Sequence, residues 1–497
     1  MVVSISNAKL VPKCNMSEIQ QQFNSIKKQI DLIRSVKGGA GLGIRHLQVV
    51  LMCGGITLAF MLRVDMSVGI VVMANNTGSN PDIKDYGWNP TETSTILSSF
   101  FWGYITTQVP AGWLSGRYGA KNFLAAALFL SGALTALTEL AADLGGVVLM
   151  CALRILIGMV QGFIYPSTNT YLAKWIPPEE KGRMGTLVYA GAQLGTIVAM
   201  AVSGVLANSA AGWPSIFYTF GGISVLWGIL IFFLGADKPS SHKYISKEEQ
   251  VYIEDSLNKV SHEAERMPTP WISILSSMPF IALAIVHCGQ NWGFYTLLTE
   301  MPTYFSSVLG FDIQSDGLLS ALPYLVMWCL SFIFSWIGHL IERKNWMTTG
   351  TIRKVFNSIG HWGPGLALLI LSFIELEDPT VAVALLTLTV GLNSGIYLGF
   401  QINHIDLSPN FSGVLMGMTN GLAALTSIIA PLIVGAVVKN NAPEEWRTIF
   451  LIAAGFYFIG NLIFIIFGKG EVQPWNEPIR LTKENEANYG TAAPPSA

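Results

Sequence analysis

Twelve times along this chain an apolar run extends for about 20 residues, the length an α-helix needs to cross the hydrocarbon of a bilayer. Lipid offers backbone N–H and C=O groups no partner, so runs of this kind must satisfy themselves as helices. The predicted spans fall near 48–73, 95–115, 122–142, 147–172, 184–206, 215–236, 278–308, 315–338, 357–374, 380–403, 413–438 and 446–468. The ninth is the poorest, being short and holding His361, Gly363 and Pro364. The class that follows is an all-α membrane protein of twelve transmembrane helices.

Composition agrees. Hydrophobic residues make up 51% of the 497 and charged residues 12%, about half the charge of a soluble chain. Mean hydropathy is +0.47. A net charge of -2 gives no basic face for nucleic acid. The five cysteines form no CxxC pair; four lie in apolar runs and read as buried free thiols, with no metal site. No GxGxxG, Walker loop, HExxH or GxSxG occurs, so neither an enzyme nor an ATP-driven pump is supported, and no cofactor is implied.

Most of the 29 Lys and Arg residues fall in segments that share one side if both termini are cytoplasmic. That orientation puts the sequon at Asn75 in the first outward loop, open to glycosylation, and the one at Asn410 inside, as a chance match. The division is a cytoplasmic tail 1–46, a six-helix bundle 47–236, a cytoplasmic linker 237–276, a second six-helix bundle 277–468 and a cytoplasmic tail 469–497. The first tail has no apolar core for a cleavable signal. Within it Phe23, Ile26, Ile30 and Ile33 recur at helical spacing, which fits an amphipathic helix on the inner leaflet or an unfolded tail equally well. In the linker, Ser246 and Glu249 have the spacing of a capping box.

The halves repeat a pattern. After the second run stands Gly112-Trp113-Leu114-Ser115-Gly116-Arg117, and after the eighth Gly338-His339-Leu340-Ile341-Glu342-Arg343, both G-x-L-x-x-R. Two matches in register argue for a duplicated unit, hence two pseudo-symmetric six-helix bundles.

Three charges stand well inside the first and fourth runs: Arg63 and Asp65 in the first, Arg154 in the fourth. At about 1.5 Å per residue Arg63 stands about 22 Å beyond Gln48, near the midplane, at a cost of roughly 2.5 to 3.5 kcal/mol. Asp65 is two positions on, about 200° around the helix, and points elsewhere. Two uses are open for each arginine: a substrate anion as partner, or a structural pair with Asp65 or Glu139 across helices. A guanidinium suits an anion because its planar fork donates paired hydrogen bonds and stays charged.

The chain resembles the major facilitator superfamily, whose signature loop has the form G-x-L-a-D-r-x-G-r-k. The first copy keeps Arg117, Gly119 and Lys121 but has Gly116 at the usual acid; the second keeps Glu342. The resemblance implies a latch at the cytoplasmic face, here one-sided. From Gly54 to Gly468 it is similar to the anion cotransporters that include sialin, vesicular glutamate transporters and type I sodium-phosphate cotransporters, by SSFFWGYITTQVPAGWL (98–114), RILIGMVQGFIYPS (154–167), WIPPEEKGRMG (175–185), WGFYTLLTEMPTYF (292–305), TTGTIRKVFNSIG (348–360) and NHIDLSP (403–409). YAGAQLGT (189–196) and GWPSIFY (212–218) bring it nearest to insect members described as inorganic phosphate cotransporters.

That resemblance implies a secondary carrier of a small anion, with Arg63 and Arg154 as ligands and Tyr295, Tyr104, Gln108 and Asn420 along the path. It also exposes departures. The proton-handling pattern R-I-x-x-G-x-x-E-G-x-x-x-P-x-x-H has Gln161 for its glutamate and Asn169 for its histidine. Leu97 and Gln290 stand where glutamate carriers have a histidine and an arginine. Asp65, Gln161, Glu300 and Gln290 are the candidates for coupling or gating, with Asp65, Glu300 and His287 the groups left to handle a proton, and His404 and Asp406 read as cytoplasmic rim residues. Importing one negative charge against 100 mV costs about 2.3 kcal/mol, so a coupled cation is needed. Sodium is the simpler candidate, and inorganic phosphate or an organic anion the cargo. The rivals are a proton-coupled lysosomal or vesicular exporter of acidic sugars or amino acids, and an anion channel or non-transporting sensor. With no acidic dileucine signal in the tails, the plasma membrane is the expected location, and a monomer the default.

Overall fold

Asn89 shows how directly the sequence sets an element. Its Oδ1 accepts from Glu92 N at 3.0 Å while Glu92 Oε2 accepts from Asn89 N at 2.9 Å, and Pro90 fixes the first turn of the helix Pro90–Tyr118. The computed structural model describes residues 41–74, 84, 86–207, 209–258, 268–309, 313–374, 379–439 and 442–477. The sequon at Asn75, the amphipathic pattern at 23–34 and the end of the second tail lie outside them.

The described helices form the twelve predicted spans. Span 1 is Ile44–Ala74 and span 2 Pro90–Tyr118. Span 3 starts as Lys121–Thr135 and continues into Thr138–Gln161, where Gly146, at φ +49°, turns the chain into span 4. Span 4 then breaks at Gly162 and resumes as Ile164–Trp175. Spans 5 to 9 are Lys181–Ala207, Pro214–Leu234, Met278–Ser307, Ile313–Arg343 and Thr349–Phe373. Span 10 is Pro379–Asn393 and Phe400–Leu407 joined by a 3-10 turn, span 11 is Ser412–Val437 and span 12 Pro443–Phe467. Eight stretches, within spans 1, 3 to 6, 8 and 10 to 12, are long and apolar enough to cross a membrane. Span 9, outside that set, encloses His361 and Asn357, both fully shielded.

Packing shows the duplication. Within the first half span 1 lies on span 5, 2 on 4, 3 on 6 and 1 on 6; within the second 7 lies on 11, 8 on 10, 9 on 12 and 7 on 12. Each pair maps onto its counterpart by adding six. The halves meet along 2 against 11 and 5 against 8, which the same operation exchanges.

The linker is fastened to the first half. Its helix Lys247–Asn258 opens with Ser246 Oγ accepting from Glu249 N, as the sequence predicts. Glu249 then caps span 1, accepting from Ile44 N, Arg45 N and the Arg45 guanidinium, while Arg45 also pairs with Glu180 at 2.9 Å. Tyr252 lies against Arg45, and burial, then the nearby Glu180, pushes its hydroxyl up to about 12. Beyond span 12, Gln473 N donates to Leu407 O, and Asn476 bonds Ser408 and Asn410, strapping the loop between spans 10 and 11.

Candidate functional site

Charge at mid-membrane needs a reason, and Arg63 sits on one. Its guanidinium reaches into a partly open cavity between the two halves with about 650 Å³ of space unfilled by atoms, open solvent included. The first half lines it with Phe60, Arg63, Phe101, Tyr104, Tyr165 and Gln193, the second with His287, Gln290, Asn291, Phe294, Tyr295, Tyr397, Phe400, Gln401, Asn420 and Ser427 among others. Among the described lining residues only Arg63 carries a permanent charge.

The guanidinium is held without a carboxylate among the described residues. Nη1 donates to the Tyr295 hydroxyl at 3.2 Å, across the boundary between halves. Its carbon lies 4.8 Å from the ring centroids of Phe60 and Tyr104 and 4.9 Å from that of Phe100, so aromatic faces supply what anions usually do. Nε has no protein partner. Donors remain for a ligand oxygen. Beside it, Asn420 Nδ2 donates to Tyr104 Oη at 2.8 Å and to Gln108 Oε1 at 3.1 Å. Gln290 exchanges hydrogen bonds of 2.6 and 2.8 Å with Asn393, so its amide is spent on span 10.

From this level toward the linker end the halves are closed. Tyr397 bonds Gln193, and Ser412 Oγ donates to Asn169 O at 3.3 Å. Lys181 Nζ pairs with Asp406 Oδ1 at 3.0 Å. Gly112, Gly413 and Gly417 bring backbone against backbone, with no room for a Cβ at any of them.

The Major Facilitator Superfamily profile matches residues 55–431. The chain belongs to the Major Facilitator Superfamily. Among curated relatives, the "Putative inorganic phosphate cotransporter" of Drosophila melanogaster is 42% identical over 450 residues, covering 85% of this chain and 84% of its own. "Vesicular glutamate transporter 2" of Homo sapiens is 35% identical over 455 residues, covering 89% and 77%. In structure, the proton:xylose symporter XylE bound to 6-bromo-6-deoxy-D-glucose superposes with a TM-score of 0.65 at 17% identity, covering 88% of this chain and 99% of that one, a likeness of fold alone. As a superfamily member the protein is a multi-pass integral membrane transporter and not an enzyme.

The remaining predicted residues divide. Tyr104, Tyr295, Asn420 and Gln290 line the cavity with Arg63, whereas Arg154 and Gln161 are not among its lining residues. Arg154 is buried behind Phe100, whose ring it shares with Arg63 at 4.9 Å. Asp65 is also buried; one oxygen accepts from Met66 N and the other has no partner, while its charge acts on Arg154 from beyond contact distance. The Gln161 amide is buried with neither end satisfied. Glu300 lies in span 7, its side chain outside the described residues.

The signature loops that mark the superfamily are built differently from the one-sided latch the sequence implies. Gly116 does lack an acid, but Asp237, from the start of the linker, packs on Gly119, at φ +94°, and accepts from Lys121 N at 2.8 Å. Lys121 Nζ in turn reaches Phe232 O. Arg117 is exposed over Trp113 and Tyr118, and Arg343 is exposed. Glu342, near Gly338 at the end of span 8, stands where the charges of Arg353, Asp406 and Lys181 act on it. Asp406 and His404 are not exposed rim residues: both are buried, because the helix Phe400–Leu407 is packed among spans 7, 9 and 11 and also meets spans 4 and 5 of the first half. The sequence reading missed Asp237, 116 residues from Lys121 by subtraction of their numbers, and Gln193, Tyr397 and Thr419, which carry no charge to mark them.

Proposed function

We propose that the protein is a secondary active carrier in which the anion binds Arg63 and the two halves rock about it, exposing the cavity to each side in turn. One observation carries this: a guanidinium at mid-membrane, in a cavity shared by both halves, held by aromatic rings and a tyrosine hydroxyl with no carboxylate against it among the described residues. The names of the relatives, which speak of phosphate and glutamate, support an anion as cargo.

Within that class the lining favours an organic anion of one charge with an apolar or aromatic body. One guanidinium balances one negative charge, and Phe60, Phe101, Tyr165, Phe294 and Phe400 offer faces to carbon rather than to oxygen. Inorganic phosphate is the second reading, favoured by the name of the insect relative. Sodium is the coupled cation of this reading, since Gln161 and Asn169 in span 4 cannot take up a proton near neutral pH. With the linker end on the cytoplasmic side, the closed linker end makes this an outward-facing or occluded form, in the plasma membrane.

Uptake of radiolabelled benzoate and of inorganic phosphate into proteoliposomes tests it, with and without an inward sodium gradient. Saturable benzoate uptake that needs the gradient and vanishes in Arg63→Ala is the expected result. Uptake unchanged by Arg63→Ala, or conductance without saturation, overturns the reading.

A further inference from the structure

The second half buries three histidines around Phe400: His287 from span 7, His361 from span 9 and His404 from span 10. No step of the carrier described above uses them. Two are joined. Thr419 Oγ1 on span 11 lies 3.1 Å from His287 Nδ1 and 2.7 Å from His404 Nε2, and the two rings are 5.9 Å apart.

The partners assign the protons. His404 Nδ1 stands 3.0 Å from Gln401 O, which can only accept, so Nδ1 carries the hydrogen and Nε2 of the neutral ring accepts. Thr419 donates to that Nε2 at 2.7 Å in preference to Met416 O at 3.4 Å. Its oxygen then accepts from His287 Nδ1–H. This leaves Nε2 of His287, on the cavity wall, as the open acceptor of a chain whose hydrogens all point the same way.

We infer that His287, Thr419 and His404 form a proton path from the cavity to the ion pair that closes the linker end, so that a proton entering from the cavity loosens that closure. The inference rests on the carrier reading of the cavity and adds to it a second ion, sensed in the half opposite Arg63. A proton arrives at His287 Nε2; the Nδ1 hydrogen passes to the Thr419 oxygen; the threonine hydrogen passes to His404 Nε2. His287 ends neutral and His404 ends as the imidazolium, one proton taken up and none lost.

The position of that charge gives it a consequence. Asp406 is two residues on, and its charge acts on His404. Asp406 is also the acceptor of Lys181 from the first half and of Arg353 Nε at 2.6 Å. A third positive charge two positions along the same helix, beyond ion-pair distance but near enough for its field to act, weakens the carboxylate's hold on the most exposed of its partners, Lys181. His361, with Nδ1 on Asn357 O, also acts on His287, and Arg63 and Tyr295 line the same cavity as its ring. Arg63 repels a charge at His287 more than one at His404, which lies deeper behind Thr419 and outside the lining, so the path runs away from it.

Two measurements on the full chain test this. Hydrogen exchange over residues 400–412 and benzoate uptake, with inorganic phosphate as second probe, are followed from about pH 8 to about pH 4, through and below the range where an ordinary imidazole gains its charge, since both rings are buried. Exchange, taken throughout relative to the intrinsic rate of an unprotected amide at the same pH, and uptake should both rise as pH falls, by about tenfold if one protonation opens the closure. In Thr419→Val, which keeps the shape and removes the bridge, both profiles should flatten to within about twofold. If that variant does not fold, His287→Gln on the cavity wall takes its place, with the same expectation. A variant that keeps the wild-type pH profile overturns the path. Wild-type exchange that is flat with pH while benzoate or phosphate is taken up overturns it too, and leaves the carrier reading intact. Exchange that rises in acid and flattens in Thr419→Val, with no saturable uptake of either probe, supports the path and defeats the carrier reading.

Discussion

Lys181 Nζ and Asp406 Oδ1 lie 3.0 Å apart, one residue from each half of the molecule, and both are largely shielded from water. Asp406 is not dependent on Lys181, since its other oxygen takes Arg353 at 2.6 Å deep in the second half. The two ends of the bond therefore differ. Lys181→Met leaves a neutral buried pair and should cost little in thermal stability while freeing the linker end. Asp406→Asn strands Arg353 and should cost about 3 to 5 kcal/mol. Denaturation in detergent, with labelling of a cysteine placed at Gln401 from the linker side, separates them: only Lys181→Met should label faster while melting as wild type.

Arg63 is held by shape as much as by charge. Three rings within 4.9 Å suit a flat guanidinium, and Tyr295 takes one of its five N–H donors. Arg63→Lys keeps the charge and loses both the stacking and the fork. Benzoate KM should rise by about tenfold to hundredfold, worth about 1.4 kcal/mol per tenfold, with Arg63→Ala inactive. Equal KM values for wild type and Arg63→Lys would show that the fork is not used.

The twelve spans were legible because length and apolarity are local properties, and the duplication because one short motif recurs in register. The cavity was half legible. Arg63 stood out as a charge in an apolar run, and Tyr295, Tyr104 and Asn420 join it. Arg154 stood out for the same reason but faces Phe100 and the Asp65 side of the bundle, because the direction of a helix face toward a neighbour is fixed by packing and not by the run itself. Lys121 and Asp237 illustrate the other gap: a loop residue can be completed by a side chain from a distant segment that only the fold brings near. His404 and Asp406 read as a rim because they end an apolar run, yet neighbouring spans of both halves close over the helix Phe400–Leu407 that carries them.

Arg154 and Asp65 should behave as a structural couple. Each is buried, neither is within ion-pair distance of the other, and each retains an unsatisfied atom. Removing either takes away an attraction felt at a distance, so Arg154→Met and Asp65→Asn should each lose stability, by less than the roughly 3 to 5 kcal/mol of breaking a contacting buried pair. Together they should lose clearly less than the sum. Thermal melts of the three variants give the cycle. Benzoate KM of whichever single variant folds should stay within about twofold of wild type, a ground-state binding change too small to place Arg154 on the substrate.

Gly413 and Gly116 make a matched pair for the closure between halves. A Cβ on Gly413 would run into Thr170 Oγ1 and come within 2.9 Å of Pro166 O, both in the first half. A Cβ on Gly116, in the last turn of span 2, would meet nothing within 4 Å. Alanine in a helix is favoured over glycine by about 0.5 to 1 kcal/mol, so Gly116→Ala should raise the melting temperature slightly and leave uptake unchanged. Gly413→Ala receives the same local gain and must offset it by parting spans 11 and 4 at the linker end. It should melt no lower than about 1 kcal/mol below wild type, yet label faster at Gln401→Cys from that side. If Gly413→Ala labels as slowly as Gly116→Ala, the backbone contact between the halves is not what holds the linker end shut.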